Sequence, residues 1–219
     1  ASSCSWSIND NVAEREKSWY SRAVISRPSR SLSLDLKKKR VLLVGLGLHG
    51  GGVGTTKWLL DQGAEVRVTD PKTADELRPS IKQLTGRKIT WHLGSYDPGD
   101  FRWADMIVLN PAVNPQAPDM RRLIPRSAHI ENELTLFLAR CPAMTVGITG
   151  TRGKTTTTLL TTHILATAGK KVVASGNVRQ TPMLSVLPKL TKDHIAVLEL
   201  SSFQLELLPN IKKSPNVAL

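Results

Sequence analysis

The stretch Val146-Gly147-Ile148-Thr149-Gly150-Thr151-Arg152-Gly153-Lys154-Thr155-Thr156-Thr157-Thr158 constrains this chain most, because it sets a glycine-punctuated turn between an apolar run and a helix-forming run. It reads as a phosphate cradle. Gly150 and Gly153 allow positive φ, so backbone N–H groups can turn inward onto phosphate oxygens with no Cβ in the way. Lys154 brings a mobile positive charge, and the Thr155 hydroxyl is placed to ligate the magnesium that accompanies a nucleoside triphosphate. The helix that follows points its positive end at the same anion. The common Walker spacing needs a glycine six residues before Lys154, where Ile148 stands, so the match is to a shorter variant, Thr-Gly-Thr-x-Gly-Lys-Thr-Thr.

A second glycine turn lies upstream. Val41-Leu42-Leu43-Val44 has the continuous apolar character of a buried parallel strand, and Gly45, Gly47 and Gly50 after it satisfy Gly-x-Gly-x-x-Gly. Thr55 to Gln62 reads as a helix capped by Gly63, and Glu65 to Thr69 as a strand ending at Asp70. Strand, glycine turn, helix, strand and acid in this order raise the motif above a chance match, and Asp70 can accept from sugar hydroxyls without implying nicotinamide. Further on, the pattern predicts a helix over Ala74 to Leu84, strands over Lys88 to His92 and Met106 to Leu109, and a helix over Glu131 to Ala139. The proline-fixed loop Asn110 to Pro115 sits at a strand's carboxyl end, where doubly wound sheets place ligands; a plain surface turn is the competing reading.

Arg140-Cys141-Pro142 marks the step into a second unit. Its expected elements are the strand Met144 to Ile148, a helix from Lys154 to Ala168, the strand Lys171 to Ala174, the strand Ile195 to Leu200 and a last strand over Asn216 to Leu219. Glu199 stands near the end of a core strand. A carboxylate there is costly unless paired or metal-bound, and beside a phosphate loop the metal is the favoured reason. The predicted organisation is an extension over 1–36, poorly ordered or carrying a small helix around Asn11 to Val24, then units over 37–141 and 142–219.

With 219 residues, 40% of them hydrophobic, the chain can bury a real core, and no apolar run approaches the ~20 residues needed to span a bilayer. A cytoplasmic protein with no membrane insertion is expected. Cys4 and Cys141 are too few and too far apart for a disulfide scaffold or a metal knuckle. The net charge of +12 calls for anionic partners. The basic residues are scattered, however, and lack the aromatic interleaving of single-strand binders, so phosphorylated metabolites are expected and nucleic acid is not.

On these residues the chain resembles the Mur ligases, from about Asp35 to Leu219. The likeness is carried by Val-Gly-Leu-Gly-Leu at Val44 to Leu48, the phosphate loop at Thr149 to Thr156, Gly176-Asn177, and Leu-Glu-Leu-Ser-Ser-Phe-Gln-Leu-Glu at Leu198 to Glu206. It implies an α/β chain with a Rossmann-like parallel-sheet N-terminal domain followed by the start of a P-loop-type ATPase domain. The implied function is an ATP-dependent, amide-bond-forming ligase adding D-glutamate to UDP-N-acetylmuramoyl-L-alanine in peptidoglycan precursor synthesis, through an acyl phosphate. Lys154, Thr155 and Glu199 would be catalytic, with Thr155 and Glu199 holding Mg²⁺. Gly150, Thr151, Arg152, Gly153, Lys154, Thr155 and Thr156 would bind ATP. Gly47, Leu48, His49, Asp70 and Lys72 would face the uridine end of the substrate, and Asn177, Ser201 and Gln204 the sugar and its phosphates.

The chain departs from the family pattern at Arg152, where Asn is usual, at His49, and at Gly176-Asn177-Val178-Arg179-Gln180-Thr181-Pro182, which is longer and more basic than Gly-Asn-Ile-Gly-x-Pro. The family's remaining catalytic groups and its amino-acid-binding domain would lie beyond Leu219. The chain alone is therefore expected not to complete ligation, with a missing C-terminal half as partner. A non-catalytic UDP-sugar or nucleotide-binding module stays as the alternative, and a nicotinamide dehydrogenase is disfavoured because it has no use for the Thr149 to Thr156 loop.

Overall fold

A computed structural model describes residues 35–178, 181–211 and 213–219. The expected helix around Asn11 to Val24 and the Arg179-Gln180 departure lie outside the described residues. Two parallel sheets organise the chain. The first has the order β3-β2-β1-β4-β5, with β1 at Arg40–Val44, β2 at Glu65–Asp70, β3 at Thr90–Leu93, β4 at Met106–Leu109 and β5 at Ile130–Asn132. Strands run outward from β1 through β2 to β3, and the chain then returns to lay β4 and β5 on the other side. The order therefore reverses between β1 and β4, which pair from Val41 with Met106 to Val44 with Leu109. All four residues of β4 are buried, as a strand covered on both faces requires.

The second sheet has the order β7-β8-β6-β9, with β6 at Met144–Ile148, β7 at Lys171–Gly176, β8 at His194–Glu199 and β9 at Val217–Ala218. Among the described residues the α/β architecture and the strands at Met106 to Leu109 and Met144 to Ile148 match the sequence reading.

Several elements differ from expectation, each for a local reason. Helix α1 covers Gly51–Asp61, starting four residues before Thr55, because Gly50 in the left-handed region (φ 86) turns directly into it. The helix expected over Ala74 to Leu84 contracts to α2, Arg78–Lys82, with Pro79 in its first turn. Helices α3 (Pro98–Trp103) and α4 (Pro118–Leu123) are too short to show a period in the sequence. Glu131 and Asn132 belong to β5, and α5 begins at Glu133–Arg140, because Asn132 is an N-cap. Leu36, placed in the extension by sequence, is 3% exposed within the core. Helix α6, at Lys154–Thr167, matches expectation to within a residue.

One hydrophobic cluster reaches across both sheets, joining Leu46, Val53 and Phe137 to Met183, Leu184, Leu198 and Leu200. The wedge that closes it is α7, Met183–Val186, continued by a 3-10 turn at Leu187–Lys189. It packs against α1 and α5. Pro182, just before it, lies so near α1 that a Cβ on Gly54 would sit 2.7 Å from Pro182 Cβ, so glycine at 54 is a packing requirement.

Asn132 ties the two sheets by hydrogen bonds. Its Oδ1 accepts from Thr135 N–H at 2.9 Å as the α5 cap, and its Nδ2 donates to the Gln204 carbonyl at 2.9 Å. Asn132→Ala loses a cap and strands a buried carbonyl, so a cost of about 2–3 kcal/mol is expected, read as a thermal midpoint lower by roughly 5–10 °C. Asn132→Asp, which keeps the cap acceptor but turns a second oxygen on the Gln204 carbonyl, should cost at least as much.

Candidate functional site

The phosphate loop leaves the carboxyl end of β6. Gly150 (φ 141) and Gly153 (φ 77) both lie at positive φ, and Gly153 is the N-cap of α6. A Cβ on Gly153 would meet nothing within 4 Å, so backbone conformation and not space fixes that glycine. Lys154 Nζ donates to the Gly150 carbonyl at 2.8 Å, folding its ammonium back over the loop. Thr151, Arg152, Thr155 and Thr156 are exposed around it. An anion reaching this surface meets a cationic head, unpaired first-turn amides and the positive end of a helix 14 residues long.

Glu199 stands beside the loop. It is the last residue of β8, opposite Ile148 in the register, and the Leu200 N–H donates to the Ile148 carbonyl at 2.8 Å. Its side chain is 5% exposed, and Oε2 has no hydrogen-bond partner among the described residues. A buried carboxylate oxygen left unpaired next to a phosphate loop is the donor a hard divalent cation takes, with the Thr155 hydroxyl on the neighbouring element. These residues fit Mg²⁺.

Glu199 also reaches toward the second site through its backbone. Its carbonyl accepts the Asn177 N–H at 3.1 Å, and Gly176 (φ 96) lies so close that a Cβ there would sit 2.3 Å from that same oxygen. Asn177 and Gly176 line a cleft of about 430 Å³ between the two sheets. Its opposite wall is the reversal point of the first sheet, where Gly47, Leu48 and His49 follow β1 and Asn110, Pro111 and Ala112 follow β4. A crevice outside the carboxyl ends of parallel strands, at a change of strand order, is where such sheets bind ligands.

The expected uridine-side residues divide by role. Leu48 and His49 are exposed where they line the cleft, whereas Lys72 is exposed but lies outside its lining. Asp70 is 3% exposed, and its own chain already engages it, Oδ2 accepting from Gly47 N–H at 3.1 Å and Oδ1 from Lys72 N–H at 2.9 Å. It shapes the glycine turn. Buried Ser80, which the sequence did not single out, donates to the Gly47 carbonyl at 2.7 Å and holds the turn from the other side.

On the sugar side, Ser201 and Gln204 form a reciprocal capping box around α8, Ser202–Leu205. Ser201 N–H donates to Gln204 Oε1 at 2.9 Å and Gln204 N–H to Ser201 Oγ at 3.4 Å. Gln204 is 1% exposed and lines the cleft. The Ser-x-x-Gln spacing carries this signal in the sequence. The loop Asn110 to Pro115, left open between ligand loop and surface turn, contributes three residues to the cleft. Glu133 is a lining residue that sequence reading missed, because it was placed inside a helix face.

The chain thus joins a parallel α/β unit with a cleft at its strand reversal to a second unit that carries a short phosphate loop and a strand-end glutamate. Two family models match it. The one described as "Mur ligase MurD-like, N-terminal domain" covers residues 39–131, and "Mur ligase middle domain" covers residues 148–219. The chain belongs to the Mur ligase family. Its relatives include the protein named UDP-N-acetylmuramoylalanine--D-glutamate ligase in Roseiflexus sp. (strain RS-1), 44% identical over 84% of this chain and 40% of that protein. Proteins of the same name match from Koribacter versatilis, 37% identical over 84% of this chain and 40% of the relative, and from Ruminiclostridium cellulolyticum, 34% identical over 84% and 38%. The chain thus spans about 40% of the length of these curated relatives.

Proposed function

We propose that this chain forms the nucleotide-sugar cleft and the phosphate loop of an ATP-dependent, ADP-forming ligase that adds D-glutamate to UDP-N-acetylmuramoyl-L-alanine in the cytoplasm. The observation that carries the reading is the unpaired, buried Oε2 of Glu199 one strand from a loop built for a polyphosphate. Residues 37–141 would make the uridine-binding unit and 142–219 the start of the ATP-binding unit. The relatives' printed name and the two matched domains support the substrate.

In this reading Lys154, the amides from Gly150 to Thr156 and the α6 terminus neutralise the transferring phosphate, a task that is almost wholly positioning and electrostatics. Arg152 adds a second exposed cation to the loop. Thr155 and Glu199 would hold Mg²⁺, which supplies charge neutralisation between the phosphates and the acceptor carboxylate. Asn177, Ser201 and Gln204 face the sugar and its phosphates, while Gly47, Leu48, His49 and Lys72 take the uridine end.

Lys154→Ala tests the loop. Mg-ATP at ~100 times its dissociation constant should stabilise the chain by about 2.7 kcal/mol, and the variant should lose most of that gain with its ligand-free midpoint unchanged within 2 °C or so. An undiminished Mg-ATP shift in Lys154→Ala would remove the loop from the site. A non-catalytic binding module would share these outcomes, and differs in giving no turnover when the remainder of a full-length relative is supplied.

A further inference from the structure

Glu133 is the first residue of α5, directly after the Asn132 cap, and is 7% exposed. It lines the cleft from the first sheet's side. Its Oε1 accepts the N–H of Leu184 at 3.3 Å, at the start of α7, 51 positions further along the chain. Met183 and Leu184 are fully buried, and Pro182 before them is pressed against Gly54 of α1 and also lines the cleft. Glu133 therefore sits where α1, α5 and α7 converge, at the joint between the two walls that a ligand would touch.

Among the described residues its surroundings are otherwise neutral. The residues lining the cleft with it include one other titratable side chain, His49, at the mouth. From α7 the facing groups are the Met183 and Leu184 amides, α1 offers glycines and Thr55, and α8 offers the Gln204 amide. Burial pushes the Glu133 carboxyl up to about 7, against a smaller downward pull from the Leu184 and Met183 amides. At neutral pH the group stands balanced between a charged and an uncharged form.

We infer that Glu133 is a positioning residue that pins the start of α7 to α5 and takes up a proton when an anionic nucleotide sugar enters the cleft. The inference rests on the nucleotide-sugar reading given above. A pyrophosphate in this cleft faces an ionised Glu133 as a like charge, whereas the neutral acid removes the repulsion and still offers an oxygen to the Leu184 amide. The sign follows. Below about pH 7 the carboxyl is protonated and the cleft accepts the anion; as pH rises the proton must be supplied from solvent, and affinity falls.

Calorimetric titration of UDP-N-acetylmuramoyl-L-alanine, whose own groups do not titrate between pH 6 and 8, tests this. A His49→Gln background silences the other cleft group. In that background affinity should fall up to about tenfold from pH 6 to 8, and Glu133→Gln, which keeps an acceptor for Leu184, should flatten the fall to less than about twofold. Titrations at pH 7 in two buffers of different ionisation enthalpy should show uptake of roughly half a proton per ligand with Glu133 in place, a readout that needs no change at position 133. Parallel pH profiles with and without the Glu133→Gln substitution, or no proton uptake, would overturn the role of Glu133 while leaving the nucleotide-sugar reading intact. Absence of binding at every pH, with and without the substitutions, would overturn both.

Discussion

Gly176→Ala is expected to lower the stability of the chain by about 3 kcal/mol or more, a fall in thermal midpoint on the order of 10 °C. Two penalties coincide at this position. The backbone lies at φ 96, which costs an L-residue roughly 1–2 kcal/mol. The added Cβ would also lie 2.3 Å from the Glu199 carbonyl oxygen, 3.1 Å from its carbonyl carbon and 3.1 Å from its nitrogen. Backbone cannot swing away as the end of a flexible side chain can, so β7 and β8 must part where they pair, at Gly176 and Glu199. The same shift should displace Asn177, whose N–H bonds to that carbonyl, and weaken ligand binding in the cleft and at the phosphate loop together. Thermal unfolding with and without ligand checks both effects; a midpoint within 2 °C or so of the parent would show that the strands are not held this closely.

Glu199→Gln should separate stability from binding. The amide keeps the volume of a side chain whose Oε2 has no partner among the described residues, so the ligand-free chain should keep the parent's stability to within about 1 kcal/mol. Mg-ATP affinity should nevertheless drop at least about 100-fold, near 2.8 kcal/mol, because a neutral amide is a poor ligand for a hard divalent cation. ATP without magnesium should bind the parent and the variant alike. A Glu199→Gln chain that binds Mg-ATP as tightly as the parent would place the metal elsewhere.

The sequence displays the sheets and the phosphate loop because these depend on local signals. Buried parallel strands such as Met106 to Leu109 are continuous apolar runs, and positive-φ turns leave glycines at Gly150 and Gly153. Glu199 was legible as an anomaly, a charge at the end of the apolar run that forms β8. What the sequence hides is non-local. Glu133 faces the cleft because Asn132 caps α5 one residue earlier and because α7, from the second unit, packs against it. Gly54 reads as a weak point in a helix, and only the approach of Pro182 explains it. Asp70 looked free to meet a sugar, whereas both of its oxygens accept amides from the turns at Gly47 and Lys72. The short helices α3 and α4, six residues each, begin at prolines and are too brief for a 3.6-residue period to emerge.

The most direct test of the central claim is thermal unfolding of the chain with UDP-N-acetylmuramoyl-L-alanine, with Mg-ATP and with NAD, each in large excess. A ligand of the cleft or the loop at ~100 times its dissociation constant adds about 2.7 kcal/mol, a shift of several degrees. Stabilisation by the UDP-sugar and by Mg-ATP, additive when both are present and absent with NAD, is the result this account predicts. Stabilisation by NAD alone would contradict it, because the cleft between the sheets would then be a dinucleotide site and not the uridine end of a ligase.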